Sequence, residues 1–253
     1  MSHPDLPEPG FIANGTLIGT GLTGIVELSG GYAVKTPWPG EDGKQSQDDI
    51  QLEWRAYERI AQNLGKHIRF VEVIEFDREK LTLTMEYMVN GTLRQYLQSS
   101  EQQITARQRR LWIQAMAEGL HLIHELGIIH CDLTPHNMFL DDKLELKIAD
   151  FGCCSLDQSG SMAATDVRFY PPRPFFNSPV STNDDLFALG SCIYEILTGT
   201  APFEDISSPQ VPVLARLQQY PDLTGLDCRD IIRDCWLGRA QSARDVLCRL
   251  SGM

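Results

Sequence analysis

Apolar positions change their spacing along this chain, and the change divides it in two. Over residues 11–37 they come in short runs broken by glycine: Phe11 to Gly19, Gly24 to Leu28, and Tyr32 to Lys35 after Gly30-Gly31. Paired glycines between apolar runs mark hairpin turns, so three strands are expected. Over 46–64 the spacing turns helical, with Ile50, Leu52, Trp54, Tyr57, Ile60, Ala61 and Leu64 recurring between charged residues. Asp48 or Asp49 is the expected cap of this helix. Ile68 to Phe76 and Leu81 to Tyr87 predict a strand pair around Asp77-Arg78-Glu79-Lys80. Past Asn90-Gly91 helices dominate. Thr92 to Leu97 is a short one, and Thr105 to Leu126 a long one capped by Thr105 and stopped by Gly127. Met138 to Leu140 and Leu144 to Ile148 predict a small hairpin. Residues 153–182, rich in Ser, Gly and Pro, read as a long surface loop. Helices follow over Asn183–Thr198, Pro209–Gln219, Asp227–Trp236 and Ser242–Leu250.

Strands with one main helix thus precede a mostly helical half, and the break lies at Glu86 to Gly91. The expected fold class is α+β with two lobes. A tail at 1–10 leads into a small antiparallel-sheet lobe at 11–88, and a larger helical lobe occupies 89–253. No internal repeat or low-complexity tract interrupts this plan.

Composition narrows the function. The 253 residues are 42% hydrophobic, enough for a sizeable core. The net charge of −12 argues against nucleic acid as a partner, because phosphate contacts need clustered Lys and Arg. Seven cysteines, an odd number without a C-x-x-C pair, fit a reduced compartment; the cytoplasm is expected, and the nucleus is compatible. The adjacent Cys153 and Cys154 read as inert thiols before they read as a redox pair. Met1 to Gly10 has neither the basic region nor the apolar run of a signal peptide or anchor. The longest apolar stretch, Leu186 to Leu197, is broken by Ser191 and Glu195 and is too short to span a bilayer. It reads as a buried helix. No membrane partner is expected.

The chemistry sits in four short segments. Gly19-Thr20-Gly21-Leu22-Thr23-Gly24-Ile25-Val26 is a full G-x-G-x-x-G-x-V between two strands. Glycines there let backbone N–H groups approach phosphate oxygens without a Cβ in the way. Tyr32-Ala33-Val34-Lys35 follows on the next strand. His130-Cys131-Asp132-Leu133-Thr134-Pro135-His136-Asn137 matches H-R-D-L-x-x-x-N except at the Arg, and Asp150-Phe151-Gly152 completes the set. Either Glu53 or Glu58 could face Lys35 from the helix; they lie about 140° apart on a 3.6-residue helix.

In these segments, and over nearly its whole length, the chain resembles the eukaryotic protein-kinase superfamily, in particular compact stand-alone domains of fungal type. Met85-Glu86-Tyr87-Met88 looks like the hinge, Asp185 to Gly190 like a buried helix that steadies the catalytic loop, and Cys235-Trp236 like a pair in tyrosine-kinase-like groups. The resemblance implies ATP and Mg²⁺ as cofactors and the Ser/Thr hydroxyls of a protein as acceptor. It implies that Asp132 takes or orients the acceptor proton, and that Asn137 and Asp150 hold Mg²⁺. Lys35 would neutralise phosphate charge and pair with Glu53, the glutamate it aligns with the ion-pair position. Gly19, Thr20, Gly21, Gly24 and Val26 would cover the nucleotide, Ala33 and Phe139 would sandwich the base, and Glu86 and Met88 would bond to it through their backbone. A monomer is expected.

Four positions depart from the family pattern. Cys131 replaces the Arg that pairs with a phosphorylated loop, although Ser155, Ser159, Ser161 and Thr165 follow it. Thr134 replaces the Lys of serine/threonine kinases. Arg173 stands where a Glu is expected, and Ser242 stands near its missing Arg partner. Phe139 replaces a Leu. These changes leave open an ATP-binding pseudokinase scaffold and an atypical kinase, either of KEOPS type or acting on a small molecule.

Overall fold

The computed structural model describes residues 15–40, 43–99, 103–157, 166–172 and 179–252. The tail at 1–10, the start of the first strand, Ser159, Ser161, Thr165 and Arg173 lie outside these residues. Among the described residues the chain forms the two expected lobes. The small lobe holds β1 (Thr16–Gly21), β2 (Gly24–Ser29), β3 (Tyr32–Thr36), α1 (Gly43–Leu64), β4 (Val73–Asp77) and β5 (Thr82–Glu86). Its sheet runs in the order β1-β2-β3-β5-β4, with every neighbour antiparallel. One face of α1 buries Ile50, Glu53, Ala56, Tyr57 and Ile60.

The large lobe begins with α2 (Leu93–Gln98) and α3 (Ala106–Glu125). Thr92 caps α2 in a capping box with Gln95, and Thr105 caps α3 by accepting from the Gln108 N–H at 3.1 Å. Four short strands follow: β6 (Ile128–Ile129), β7 (Met138–Leu140), β8 (Leu146–Ile148) and β9 (Ser155–Leu156). The helices α4 (Thr182–Thr198), α5 (Val211–Arg216), α6 (Arg229–Trp236) and α7 (Ala243–Ser251) complete it.

Three expectations need correction. Helix α1 starts at Gly43, so neither Asp48 nor Asp49 caps it. Ser46 explains the earlier start: its buried hydroxyl accepts the Trp38 N–H at 2.7 Å and fixes the entering chain. Residues 68–72 are not strand. The Arg69 carbonyl and the Val71 N–H are spent on Ile148, at 2.8 and 3.1 Å, which joins this stretch to β8 of the large lobe. The expected surface loop at 153–182 begins inside the protein: Cys154, Ser155 and Leu156 are buried, and β9 pairs with β6. Phe169 and Tyr170 are buried as well.

Helix α4 is buried on nearly every side, as its largely apolar run from Leu186 to Leu197 demands. Its buried polar side chains all have partners. Asp185 accepts from His130 and Cys131, Ser191 bonds to Arg168 and Trp236, and Glu195 holds the Arg94 guanidinium through both oxygens. Helix α6 crosses α4 at Gly190, where an added Cβ would lie 2.6 Å from Cys235 Cβ.

That contact makes a prediction. Ala normally stabilises a helix interior over Gly by about 1 kcal/mol. Here overpacking of about 1–3 kcal/mol should win, so Gly190→Ala should lower stability in urea unfolding. A variant as stable as the parent would show that α6 shifts freely.

Candidate active site

The two lobes face each other across a cleft of about 610 Å³, lined by every residue expected to bind nucleotide, proton or metal. Its deepest feature is a buried charge cluster. Lys35 on β3 reaches Glu53 on α1 at 2.6 Å and Asp150 at 2.9 Å. Glu53, not Glu58, is therefore the partner of Lys35; Glu58 points outward, 3.7 Å from Arg78. Burial alone would lower the Lys35 pKa, but the carboxylates of Asp150 and Glu53 outweigh it and hold the ammonium charged. Burial alone would raise Asp150, but the charge and hydrogen bond of Lys35 bring it below the usual carboxylate value.

The catalytic loop lies between β6 and β7. Asp185 accepts the N–H groups of His130 and Cys131 at 2.8 and 2.9 Å, and His124 Nε2 lies 2.9 Å from the same carboxylate. The Asp132 N–H faces His130 Nδ1 at 3.3 Å, so the ring proton sits on Nε2, 3.1 Å from the Ala149 carbonyl. Asn137 Nδ2 donates to the Asp132 backbone carbonyl and to its Oδ2, each at 2.8 Å. That bond aims the Asp132 carboxylate and leaves the Asn137 amide oxygen free to turn toward a cation. Burial, then the nearby charge of Asp150, push Asp132 up to about 7. A carboxylate with a pKa near neutrality is suited to proton transfer.

Aromatic packing links these parts. Phe151 meets Tyr57 of α1 edge-on at 5.0 Å and His130 at 5.1 Å. The residue after Asp150 thus touches both the helix that carries Glu53 and the loop that carries Asp132.

The roof is the hairpin between β1 and β2. Gly24 must be glycine: its φ is +151°, and a Cβ would lie 2.3 Å from the Thr36 carbonyl oxygen. Thr23, buried beside it, brings Oγ1 to 3.4 Å from Asp150 Oδ1. The glycine pattern identifies the loop but does not single out Thr23, because nothing local says that this side chain points down. Val26 and Ala33 from above and Phe139 from below give the outer cleft apolar walls. At the hinge the Glu86 N–H is taken by the Glu72 carbonyl and the Met88 carbonyl by the Gly91 N–H. The Glu86 side chain accepts from Lys147 Nζ at 2.6 Å and from the Glu72 N–H at 2.8 Å.

The donor set fits magnesium with phosphate. Asn137 and Asp150 offer hard oxygen ligands, and Mg²⁺ binds through one or two protein oxygens plus substrate phosphates. Among the described residues no group of three or more His, Cys, Asp or Glu could hold a metal by itself.

Comparison with known proteins gives the same picture. The protein kinase domain family matches residues 13–237. Human serine/threonine-protein kinase ULK1 is 34% identical over 159 residues, which make up 57% of this chain and 15% of that protein. Mouse NUAK family SNF1-like kinase 1 is 32% identical over 175 residues, 66% of this chain and 26% of that protein. The 3-phosphoinositide-dependent protein kinase 1 of Arabidopsis thaliana is 28% identical over 172 residues, 62% of this chain and 35% of that protein. The chain therefore spans well under half the length of these relatives. With the match covering both lobes and all four chemical segments, the chain belongs to the protein kinase domain family.

Proposed function

We propose that residues 1–253 are a single kinase domain that transfers the γ-phosphate of Mg·ATP to Ser or Thr hydroxyls of a protein. One observation carries this reading. Five side chains from distant segments (Lys35, Glu53, Asp132, Asn137 and Asp150) converge in one cleft with the bonds described above. In this reading Asp132 accepts the acceptor proton, Lys35 meets phosphate oxygens, and Glu53 keeps Lys35 in place. Asn137 and Asp150 hold Mg²⁺, which would screen the charge between phosphate oxygens. Adenine lies between Ala33 and Phe139 and bonds to the Glu86 carbonyl and the Met88 N–H. Gly19, Thr20, Gly21, Gly24 and Val26 cover the phosphates, so that positioning and electrostatics supply the rate. The relatives' names support Ser/Thr as acceptor. The site is complete within one chain, which supports a monomer. No described helix is long and apolar enough to cross a membrane.

Cys131 and Arg59 speak to regulation. Cys131 is buried and uncharged, with Sγ donating to the Ile129 carbonyl at 3.4 Å. Arg59 of α1 instead reaches Asp157, just past β9, through two bonds of 2.8 and 2.7 Å, and reaches the Leu126 carbonyl at 3.2 Å. A carboxylate already stands where a phosphate could have tied α1 to this segment.

The first test is transfer from labelled Mg·ATP to a panel of generic proteins, with Asp132→Ala as the control. Removing the base should cost about 100- to 10,000-fold in rate with ATP binding retained. ATP binding without any transfer by the parent would make the chain a scaffold. The pH profile is the second test. Asp132 must be ionised to take a proton, so kcat/KM for ATP should fall as pH drops through about 7. Once a cation neutralises Asp150, the second cause of the shift is gone, so the acid limb of kcat should lie lower. Coincident limbs would assign the titration to another group. Third, phosphatase-treated protein should keep its activity; silencing by dephosphorylation would refute the Arg59–Asp157 substitute.

A further inference from the structure

Trp38 takes no part in the chemistry above and does not line the cleft, yet it holds the part of the roof that does. It follows β3 in the run Pro37-Trp38-Pro39. Each proline fixes its own φ, and the second also keeps Trp38 out of the helical region, so the run is a stiff arm. Its base is anchored. The Trp38 N–H donates to Ser46 Oγ at 2.7 Å, and that hydroxyl donates to the Gly43 carbonyl at 3.2 Å, in the first turn of α1. Gly43 packs so closely that a Cβ there would lie 1.9 Å from the Trp38 carbonyl oxygen. The half-buried indole is the working end of the arm: its Nε1–H donates to the Gly21 carbonyl at 2.9 Å.

Gly21 is where the roof most needs a hold. Strand β1 is an edge of the sheet. Thr36, Ile25 and Thr20 form the last row that spans β3, β2 and β1, and Gly21 pairs with Gly24 one step beyond it. Leu22, at the tip that follows, is 70% exposed. On the cleft side the tip touches Asp150 through Thr23. A cation on Asp150 competes for that contact, and the support from Trp38 then matters most.

We propose that Trp38 is a positioning residue for the phosphates of the nucleotide: by holding the Gly21 carbonyl it sets the hairpin tip so that the Leu22 N–H faces the cleft. The proposal rests on the reading of the cleft as a Mg·ATP site. The Gly21–Leu22 peptide is planar and trans, so an oxygen held toward Trp38, outside the cleft, turns the Leu22 N–H the opposite way. Glycine at 21 lets this plane rotate at little cost. A rotated plane would present its oxygen to phosphate and repel it, and the indole bond disfavours that alternative. Because the arm starts at the first turn of α1, the tip also keeps its place relative to the helix that carries Glu53.

The test is calorimetric binding of Mg·ATP and of adenosine to the parent and to Trp38→Phe, which keeps an aromatic ring and loses the N–H. Mg·ATP should bind about three- to tenfold more weakly, the worth of one hydrogen bond, while adenosine, which has no phosphate, should stay within about twofold. Equal weakening of both ligands, or of neither, would overturn the proposal. The parent supplies a second readout that no folding defect can spoil. Coupling is reciprocal, so phosphates must strengthen the bond that helps to hold them. The Trp38 indole proton, followed by nuclear magnetic resonance, should therefore exchange with solvent more slowly under saturating Mg·ATP than under saturating adenosine; equal exchange would also overturn the proposal. A parent that binds no Mg·ATP would defeat the nucleotide reading and the proposal with it. A parent that binds Mg·ATP, with no selective loss in Trp38→Phe, would leave that reading intact and defeat the proposal alone.

Discussion

The carboxylate of Asp185, sealed inside α4, takes two backbone N–H groups from the catalytic loop and lies against His124. One of those N–H groups belongs to Cys131, whose φ of +65° is a conformation that L residues avoid. Charge-assisted bonds to a buried acceptor are strong, and an unpaired buried carboxylate would be costly. Loop and helix therefore hold each other: the loop satisfies the charge, and the charge holds the loop in its unfavourable shape. From there the geometry propagates. His130 reaches the carbonyl just before Asp150, Asn137 aims Asp132, and Phe151 ties both to α1.

The charges of the cleft follow from the same economy of groups. Glu53, Asp132 and Asp150 are carboxylates in or near low dielectric, and Lys35 is the cation beside them. Lys35 pairs with Glu53 and Asp150, yet burial still pushes Glu53, like Asp132, up to about 7. A site with this balance favours a divalent cation brought in with its own counter-anion, which is what a metal nucleotide supplies.

Much of this was legible in the chain because the chemistry demands residue types that packing does not. Gly24 and Lys35, Asp132 and Asn137, and Asp150 sit in fixed local patterns, and the structure brings them together. The hairpin β7–β8 and the capped helix α3 were equally readable from periodicity and caps. What escaped was set by partners far away in sequence. Residues 68–72 look like strand but spend their bonds on Ile148. Ser155 and Leu156 sit in a polar stretch but pair with β6. Ser46 displaces the start of α1. Arg59–Asp157 and Ser191–Arg168 join residues whose neighbours in the chain give no hint of each other. Thr23 was in view within the glycine motif, and only the folded hairpin turns it toward Asp150.

The exchange between residues 69–71 and Ile148 bears on how the lobes move. Among the described residues the backbone joins the small lobe to the large one at two separate places: by these bonds, and by the chain itself as it crosses from Glu86 to Gly91. Two points of attachment define a line. Displacements that keep both intact reduce to a single degree of freedom, a rotation about that line, and sliding or twisting would break one of them. The roof that carries Thr23 and Gly24 then swings on a fixed arc toward Asp150, so its angle alone registers whether the cleft is open or shut.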